Sequence, residues 1–211
     1  MNHNAKIYVA GHRGLVGSAL ISNLRNPALA PEAVVALYSG NMGKKQGLEI
    51  LAQAASLTRS RMDLVWVFCG EGAGRGDFEQ LCAGLPNVRW MPLQPLERLG
   101  ELLTMADIHL LPQRADAADL VMPSKLNGIL ASGRPVVATA RAGTEVANVV
   151  AGCGVVVACD DAAAFVLALA DDAPRRAALG RAARTYAETN LGHAAVLGAF
   201  EMELRRLVEG G

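Results

Sequence analysis

From Ala33 onward, short runs of Val, Ile and Leu alternate with Ala-rich segments whose apolar residues recur at helical spacing. A brief continuous apolar run suits a strand buried on both faces, and strands that alternate with helices build a parallel sheet covered on each side. The pattern predicts strands at Val34–Tyr38, Leu64–Cys69, Val88–Trp90, Ile108–Leu111, Pro135–Thr139 and Val155–Val157, with a further one at Lys6–Ala10. Between them it predicts helices at Leu15–Leu24, Gly47–Thr58, Gly76–Ala83, Leu96–Ala106, Ser124–Ser132 and Thr144–Val150. Asp160 to Val208 carries no strand signal and reads as consecutive helices, broken near Ala173-Pro174 and Asn190–Gly192. The expected class is α/β, a parallel sheet flanked by helices and followed by a helical tail.

A chain of 211 residues has ample length for one substantial core. Twenty basic residues balance twenty acidic ones, and no Lys/Arg-rich stretch stands out, so the electrostatic footprint of a nucleic-acid binder is missing. The longest apolar run, near Val149 to Cys159, is too short to span a bilayer, and the amino terminus MNHNAKIYVAGHRG lacks the apolar stretch of a signal peptide. Cys69, Cys82, Cys153 and Cys159 show no CxxC spacing and read as reduced thiols of a cytoplasmic protein, with no metal site.

Two glycine-rich segments carry chemistry. In the first, Ile7 to Ala10 runs into Gly11, Gly14 and Gly17, a strand followed by GxxGxxG at the start of a helix. Such glycines permit a tight turn and close backbone approach, while the helix N-terminus attracts a pyrophosphate. KIYVAGHRGLVGSAL resembles the start of the extended short-chain dehydrogenase/reductases, GDP-L-fucose synthase in particular. No Tyr-x-x-x-Lys pair follows, since Tyr8, Tyr38 and Tyr186 each lack a Lys four residues on. Residues 1–26 are therefore expected to be a βα fragment with a vestigial dinucleotide loop. The two prolines of Asn26-Pro27-Ala28-Leu29-Ala30-Pro31 mark a junction at 27–32.

In the second segment, Val34 to Tyr38 is followed by Ser39-Gly40-Asn41-Met42-Gly43-Lys44-Lys45-Gln46-Gly47 and then a helix. Backbone donors and Lys44 or Lys45 in such a loop suit a diphosphate, although alone it fits a solvated turn equally well. Further along come Cys69-Gly70-Glu71-Gly72, Pro86-Asn87-Val88-Arg89-Trp90, Ala106-Asp107-Ile108-His109, Met122-Pro123-Ser124-Lys125-Leu126 and Ala131-Ser132-Gly133-Arg134-Pro135-Val136. In this order they resemble the donor-binding domain of the retaining group 1 glycosyltransferases, and among them the colanic acid and exopolysaccharide branch.

The resemblance implies that residues 33–211 form the Rossmann-like, C-terminal nucleotide-sugar-binding domain of a GT-B fold. It assigns Gly40, Asn41, Gly43, Lys44, Gln46, Ser124, Lys125 and Leu126 to the diphosphate and sugar, and Gly70, Glu71 and Gly72 to base and ribose. Ser124 is expected to cap its helix and offer its hydroxyl to phosphate. Many relatives carry Arg and Lys at Asn41 and Gln46, and Glu at Leu120 and at Gly128, where the second Glu holds the ribose. The implied donor is a nucleotide-diphosphate sugar, GDP-linked by preference with UDP as the other choice, and no further cofactor is required. The implied reaction is hexosyl or fucosyl transfer, with the catalytic residues left unassigned.

A GT-B enzyme also needs an acceptor-binding domain, which this sequence is expected to lack as the product of a gene fusion or deletion. Three readings follow: a glycosyltransferase completed by a separate acceptor-domain subunit, a catalytically silent sugar-nucleotide-binding module, and an NADP-binding remnant. An exposed cleft wall would favour self-association. The arginines Arg175, Arg176, Arg181 and Arg184 are expected on a solvated face, which would also suit weak contact with the inner-membrane surface. His109, within an apolar strand, reads as a core histidine.

Overall fold

A computed structural model of the chain describes residues 33–114, 122–162, 164, 169–192, 195, 197–198, 201–202, 205–206 and 208. The expected elements Lys6–Ala10 and Leu15–Leu24, the glycines Gly11, Gly14 and Gly17, the junction at 27–32 and Leu120 all lie outside the described residues.

The strands β1 (Val34–Ser39), β2 (Leu64–Cys69), β3 (Val88–Met91), β4 (Ile108–Leu111), β5 (Val136–Thr139) and β6 (Gly154–Val157) form one sheet. Its order is β3-β2-β1-β4-β5-β6, and every neighbouring pair is parallel. The helices are α1 (Leu48–Leu57), α2 (Arg75–Leu81), α3 (Leu99–Met105), α4 (Lys125–Ala131), α5 (Glu145–Ala151) and α6 (Ala173–Tyr186). Each expected strand from Val34 onward is present, with its ends moved by a residue at most.

The predicted helix Leu96–Ala106 divides into a 3-10 turn at Leu96–Arg98 and α3. Leu96 is 78% exposed, so no packing draws the first turn into the longer helix. The break at Ala173-Pro174 becomes the first turn of α6, where a proline forfeits no hydrogen bond and the Asp172 carboxylate accepts from the Arg175 N–H at 2.8 Å. Past Tyr186 the backbone widens into a π-helical stretch, Ala187–Leu191, and the described residues of 195–208 are helical.

All six residues of β2 are buried, as a central strand covered on both faces requires. One face packs Trp66 and Phe68 with Phe78 of α2 and Trp90 of β3, and the Phe68 and Phe78 ring centroids lie 4.5 Å apart. Small residues Ala52, Ala54 and Ala55 let α1 approach this face closely.

Two buried polar side chains on this face are tied in by hydrogen bonds: Trp66 Nε1 donates to Thr58 Oγ1 at 3.0 Å, and the Asn87 amide nitrogen donates to the Ala55 and Thr58 carbonyls. On the surface, Arg61 bridges Asp63 and Asp171, tying the segment before α6 to the start of β2.

His109 is fully buried in β4, with Nε2 3.0 Å from the Leu103 carbonyl and 3.4 Å from Ser132 Oγ. Burial away from water pushes its pKa down to about 4, with the nearby Arg134 cation acting in the same direction. Between about pH 6.5 and pH 4 the unfolded chain therefore holds a proton that the folded chain refuses. Stability is full above that window and falls as pH drops through it, by about 3 kcal/mol for this one group. Urea unfolding followed across pH 4 to 7 should show this loss, and His109→Gln should flatten it.

Candidate functional site

The strand order reverses between β1 and β4, and the loops leaving the carboxyl ends of these two strands diverge to open a crevice. Three turns meet there. The chain leaves β1 at Gly40 with φ +127° and leaves β2 through Gly70 and Gly72 with φ +150° and +155°, conformations that disfavour any side chain. A Cβ on Gly70 would lie 1.9 Å from the Gly40 carbonyl oxygen, and one on Gly72 would lie 2.6 Å from Met42 O and from Asn41 Oδ1. The turns are laced by hydrogen bonds from Gly40 N–H to Cys69 O, Met42 N–H to Glu71 O and Gly74 N–H to Met42 O, at 3.0, 2.8 and 2.7 Å.

The third turn begins α4. Lys125 is half-buried, with its Nζ 4.3 Å from the centroid of the Tyr38 ring and its Cδ 3.7 Å from where a Gly40 Cβ would stand. Tyr38 lies wholly inside, its hydroxyl donating to the Asn41 carbonyl at 2.6 Å. Among the described residues no carboxylate pairs with the Lys125 ammonium. Loss of hydration pushes its pKa down to about 8, while the π face of Tyr38 supplies partial compensation. A cation held this way at the mouth of a glycine turn is arranged to receive an anion.

The expected diphosphate residues divide into two groups. Gly40, Asn41 and Lys125 come together with Gly70 and Gly72. Gly43 and Gln46 stand beside them, a Gly43 Cβ falling 3.5 Å from Asn41 Nδ2 and 3.7 Å from Gln46 Cγ. Among the described residues the amides of Asn41 and Gly43 have no backbone acceptor, whereas those of Gly40 and Met42 are consumed by the lacing.

Lys44 turns instead towards α2, where its ammonium lies 3.7 Å from Asp77. Leu126 is a core residue, and its N–H donates to the Pro123 carbonyl at 2.9 Å. Ser124 does not cap α4 with its side chain. It already has helical backbone angles, so its hydroxyl does not fold back onto the following amides and stays exposed. Gly128 faces Leu103, and its position carries no carboxylate.

The rim continues past β4. Gln113 exchanges hydrogen bonds with the buried Thr139 at 2.6 and 2.8 Å, fixing the loop against which Gly47 packs. Arg114 meets Glu49 of α1 at 3.3 Å, and both border a cleft of about 860 Å3 that extends to Arg141, Cys159 and Asp160 beyond β5 and β6.

A further residue at the site, Arg75, went unnoticed in the sequence. Its Nη1 donates to the Gly70 carbonyl at 2.8 Å. The arginines expected on a solvated face are partly committed inward: Arg176 donates to the Leu169 and Ala170 carbonyls, and Arg184 donates to the Ala131 carbonyl and pairs with Glu188. Among the described residues no helix is long and apolar enough to cross a membrane.

A family model described as Glycosyl transferases group 1 matches residues 33–171. The chain belongs to the group 1 glycosyltransferases. It is 38% identical over 200 residues to a protein of Escherichia coli (strain K12) named "Putative colanic acid biosynthesis glycosyl transferase WcaI", covering 90% of this chain and 48% of that protein. The chain thus spans about half the length of the curated relative it matches.

Solved structures share the fold. HepE of Anabaena in complex with UDP-glucose superposes with a TM-score of 0.72 at 16% identity, over 94% of this chain and 55% of HepE. The C-terminal domain of the group 1 protein LpcC from Francisella tularensis superposes with a TM-score of 0.63 at 18% identity, over 78% of this chain and 89% of that domain. The six-stranded parallel sheet is that of a GT-B glycosyltransferase domain.

Because a Gly70 side chain would overlap the Gly40 carbonyl, Gly70→Ala should destabilise the chain by about 3 kcal/mol or more. Gly76→Ala, where a Cβ meets nothing within 4 Å, should be close to neutral. Chemical denaturation of the two variants checks the contrast.

Proposed function

We propose that the chain is the nucleotide-sugar-binding part of a retaining glycosyltransferase, which takes a hexosyl or fucosyl unit from a nucleoside diphosphate sugar for exopolysaccharide assembly of the colanic acid kind. The observation that carries this reading is the convergence of the Gly40 turn, the Gly70–Gly72 turn and Lys125, which has no carboxylate partner among the described residues, at the point where the strand order reverses. The diphosphate lies across Gly40 to Gly43, held by the Asn41 and Gly43 amides and by Lys125, with the exposed Ser124 hydroxyl beside it. The nucleoside extends over Gly70 to Gly72. Family membership and the colanic acid relative support the choice of donor class and pathway. The donor is GDP-linked in this reading. UDP is the second choice, favoured by the UDP-glucose complex of HepE, which shares the fold.

Retaining transfer of this kind needs no nucleophile from these residues. As the bond between sugar and diphosphate breaks, negative charge grows on the departing phosphate oxygen. Backbone amides and an ammonium held in place beforehand stabilise that charge without reorganising. A second domain closing over the crevice brings the acceptor, either on the same polypeptide or as a separate subunit. Leu93, Leu96 and Leu99, exposed beyond β3, are apolar surface suited to contact between copies or with such a domain.

Thermal unfolding with GDP, UDP and their sugar conjugates tests the reading. A true donor at a hundredfold excess over its Kd should raise Tm by about 5 °C or more, and absence of any shift across the panel counts against the whole proposal.

Lys125→Met should weaken diphosphate binding by about tenfold to a hundredfold, the worth of a charge-assisted hydrogen bond. Affinity should also decline as pH rises through about 8, where the free chain loses the Lys125 proton. Stability of the free chain runs the other way, rising between about pH 8 and 10.5 because there the unfolded lysine still binds a proton that the folded one has released. Calorimetric titrations at pH 7 and pH 9, with Lys125→Met insensitive to the change, check the first sign, and urea unfolding of the free chain at about pH 8 and pH 10 checks the second.

A further inference from the structure

The Gly70–Gly72 turn is open to solvent at Glu71 and Gly72, and its Glu71 carboxylate, left to itself, would sample many rotamers. Arg75 at the start of α2 removes that freedom. Its Nη1 donates to the Gly70 carbonyl at 2.8 Å and also to the Glu71 carboxylate, so one guanidinium edge grips both the backbone and the side chain of the turn. Its Nε donates to Glu79 at 2.7 Å, and its plane lies over the Trp90 ring with the guanidinium carbon 5.8 Å from the centroid. Trp90 is itself set against Phe68 and Phe78, so the arginine is anchored on the aromatic core.

We infer that Arg75 is a positioning residue, which holds the Glu71 carboxylate fixed at the nucleoside end of the crevice so that it can accept hydrogen bonds from the ribose hydroxyls of the donor. This inference rests on the donor-site reading above and extends it to a residue that touches no ligand. The chemistry is specific to arginine. Only a planar fork reaches a carbonyl, two carboxylates and an aromatic face at once, and a lysine ammonium would keep the charge and lose the geometry. A preorganised carboxylate spends no side-chain entropy when the ribose arrives, whereas a roaming one does. With no carboxylate at Gly128, Glu71 is the acidic side chain that the three converging turns themselves supply.

Calorimetric titration of the full chain with GDP, UDP and inorganic pyrophosphate tests this. Arg75→Ala should weaken the better nucleotide at least tenfold while pyrophosphate, which reaches only the Gly40 and Lys125 end, changes less than twofold. Arg75→Lys should fail to restore the nucleotide affinity. Equal loss for nucleotide and pyrophosphate would mean a general disturbance of the turns, and no loss would mean that the brace is idle. Either result overturns the inference while leaving the donor site standing.

Should the Arg75 variants fail to fold, Glu71→Gln decides. It leaves the Gly70 contact in place and should cost about fivefold or more for the ribonucleotide and nothing for its 2′,3′-dideoxy counterpart, which lacks both hydroxyls, equal effects on the two being contrary to the inference. A parent chain that binds neither GDP nor UDP removes the donor-site reading, and the role of Arg75 with it.

Discussion

The contact between two backbones at the carboxyl ends of β1 and β2 governs the shape of this molecule's upper edge. Gly70 lies so close to the Gly40 carbonyl that no side chain fits between them, and three hydrogen bonds then lock the following residues in step. The parallel pairing of β1 with β2 delivers Ser39 opposite Cys69, so both strands end level and their turns meet. Pairing shifted by one residue would exchange the buried and outward faces of every side chain and separate the two glycines. A fully buried β2 therefore does more than fill the core: it keeps the two loops in register at the crevice.

That register also explains the electrostatics. Tyr38 points inward two residues before Gly40, and its hydroxyl is satisfied by the Asn41 carbonyl, which leaves the ring face presented to the incoming Lys125. A lysine on a short helix would ordinarily extend into water. Here the absent side chain at Gly40 gives its methylene stem a place to lie, and the ammonium settles over the aromatic ring. Loss of hydration makes the charged state costly, which is the direction of its depressed pKa. An anion in the crevice would offset that cost, so the free chain carries a strain that a suitable ligand relieves.

Much of the sheet was legible in the sequence because buried parallel strands leave apolar runs such as Leu64 to Cys69, and the glycine turns are written beside them. The family resemblance from Ala33 onward pointed to the same crevice. What escaped was whatever depends on residues far apart in the chain. Ser124 has the composition of a capping residue, yet the turn before α4 gives it helical angles and sets its hydroxyl free. Lys44 looks equivalent to Lys125 by type, but the neighbouring Asp77 on α2 draws it aside. Arg75 reads as one more loop charge until β3 brings Trp90 beneath it. Local spacing encodes the turn glycines, and the fold alone decides which cation faces the crevice.

The two ends of the crevice accordingly work by different physics. In the proposed donor site, Lys125, with no carboxylate partner among the described residues, and two available amides at the Gly40 end would favour any compact dianion, with little discrimination by shape. At the Gly70 end one cation, Arg75, is shared between two carboxylates, Glu71 and Glu79, so the cluster keeps a net negative charge, offers an anion no attraction, and leaves geometry to dominate. Affinity would then come chiefly from the first end and selectivity from the second. A chain whose overall charge is zero does not draw in anions by its global field, and the crevice must rely on these local arrangements. On the proposed donor-site reading, such a division would let the nucleoside end change its preference through a few side chains while the diphosphate end, built from backbone and one lysine, stayed the same.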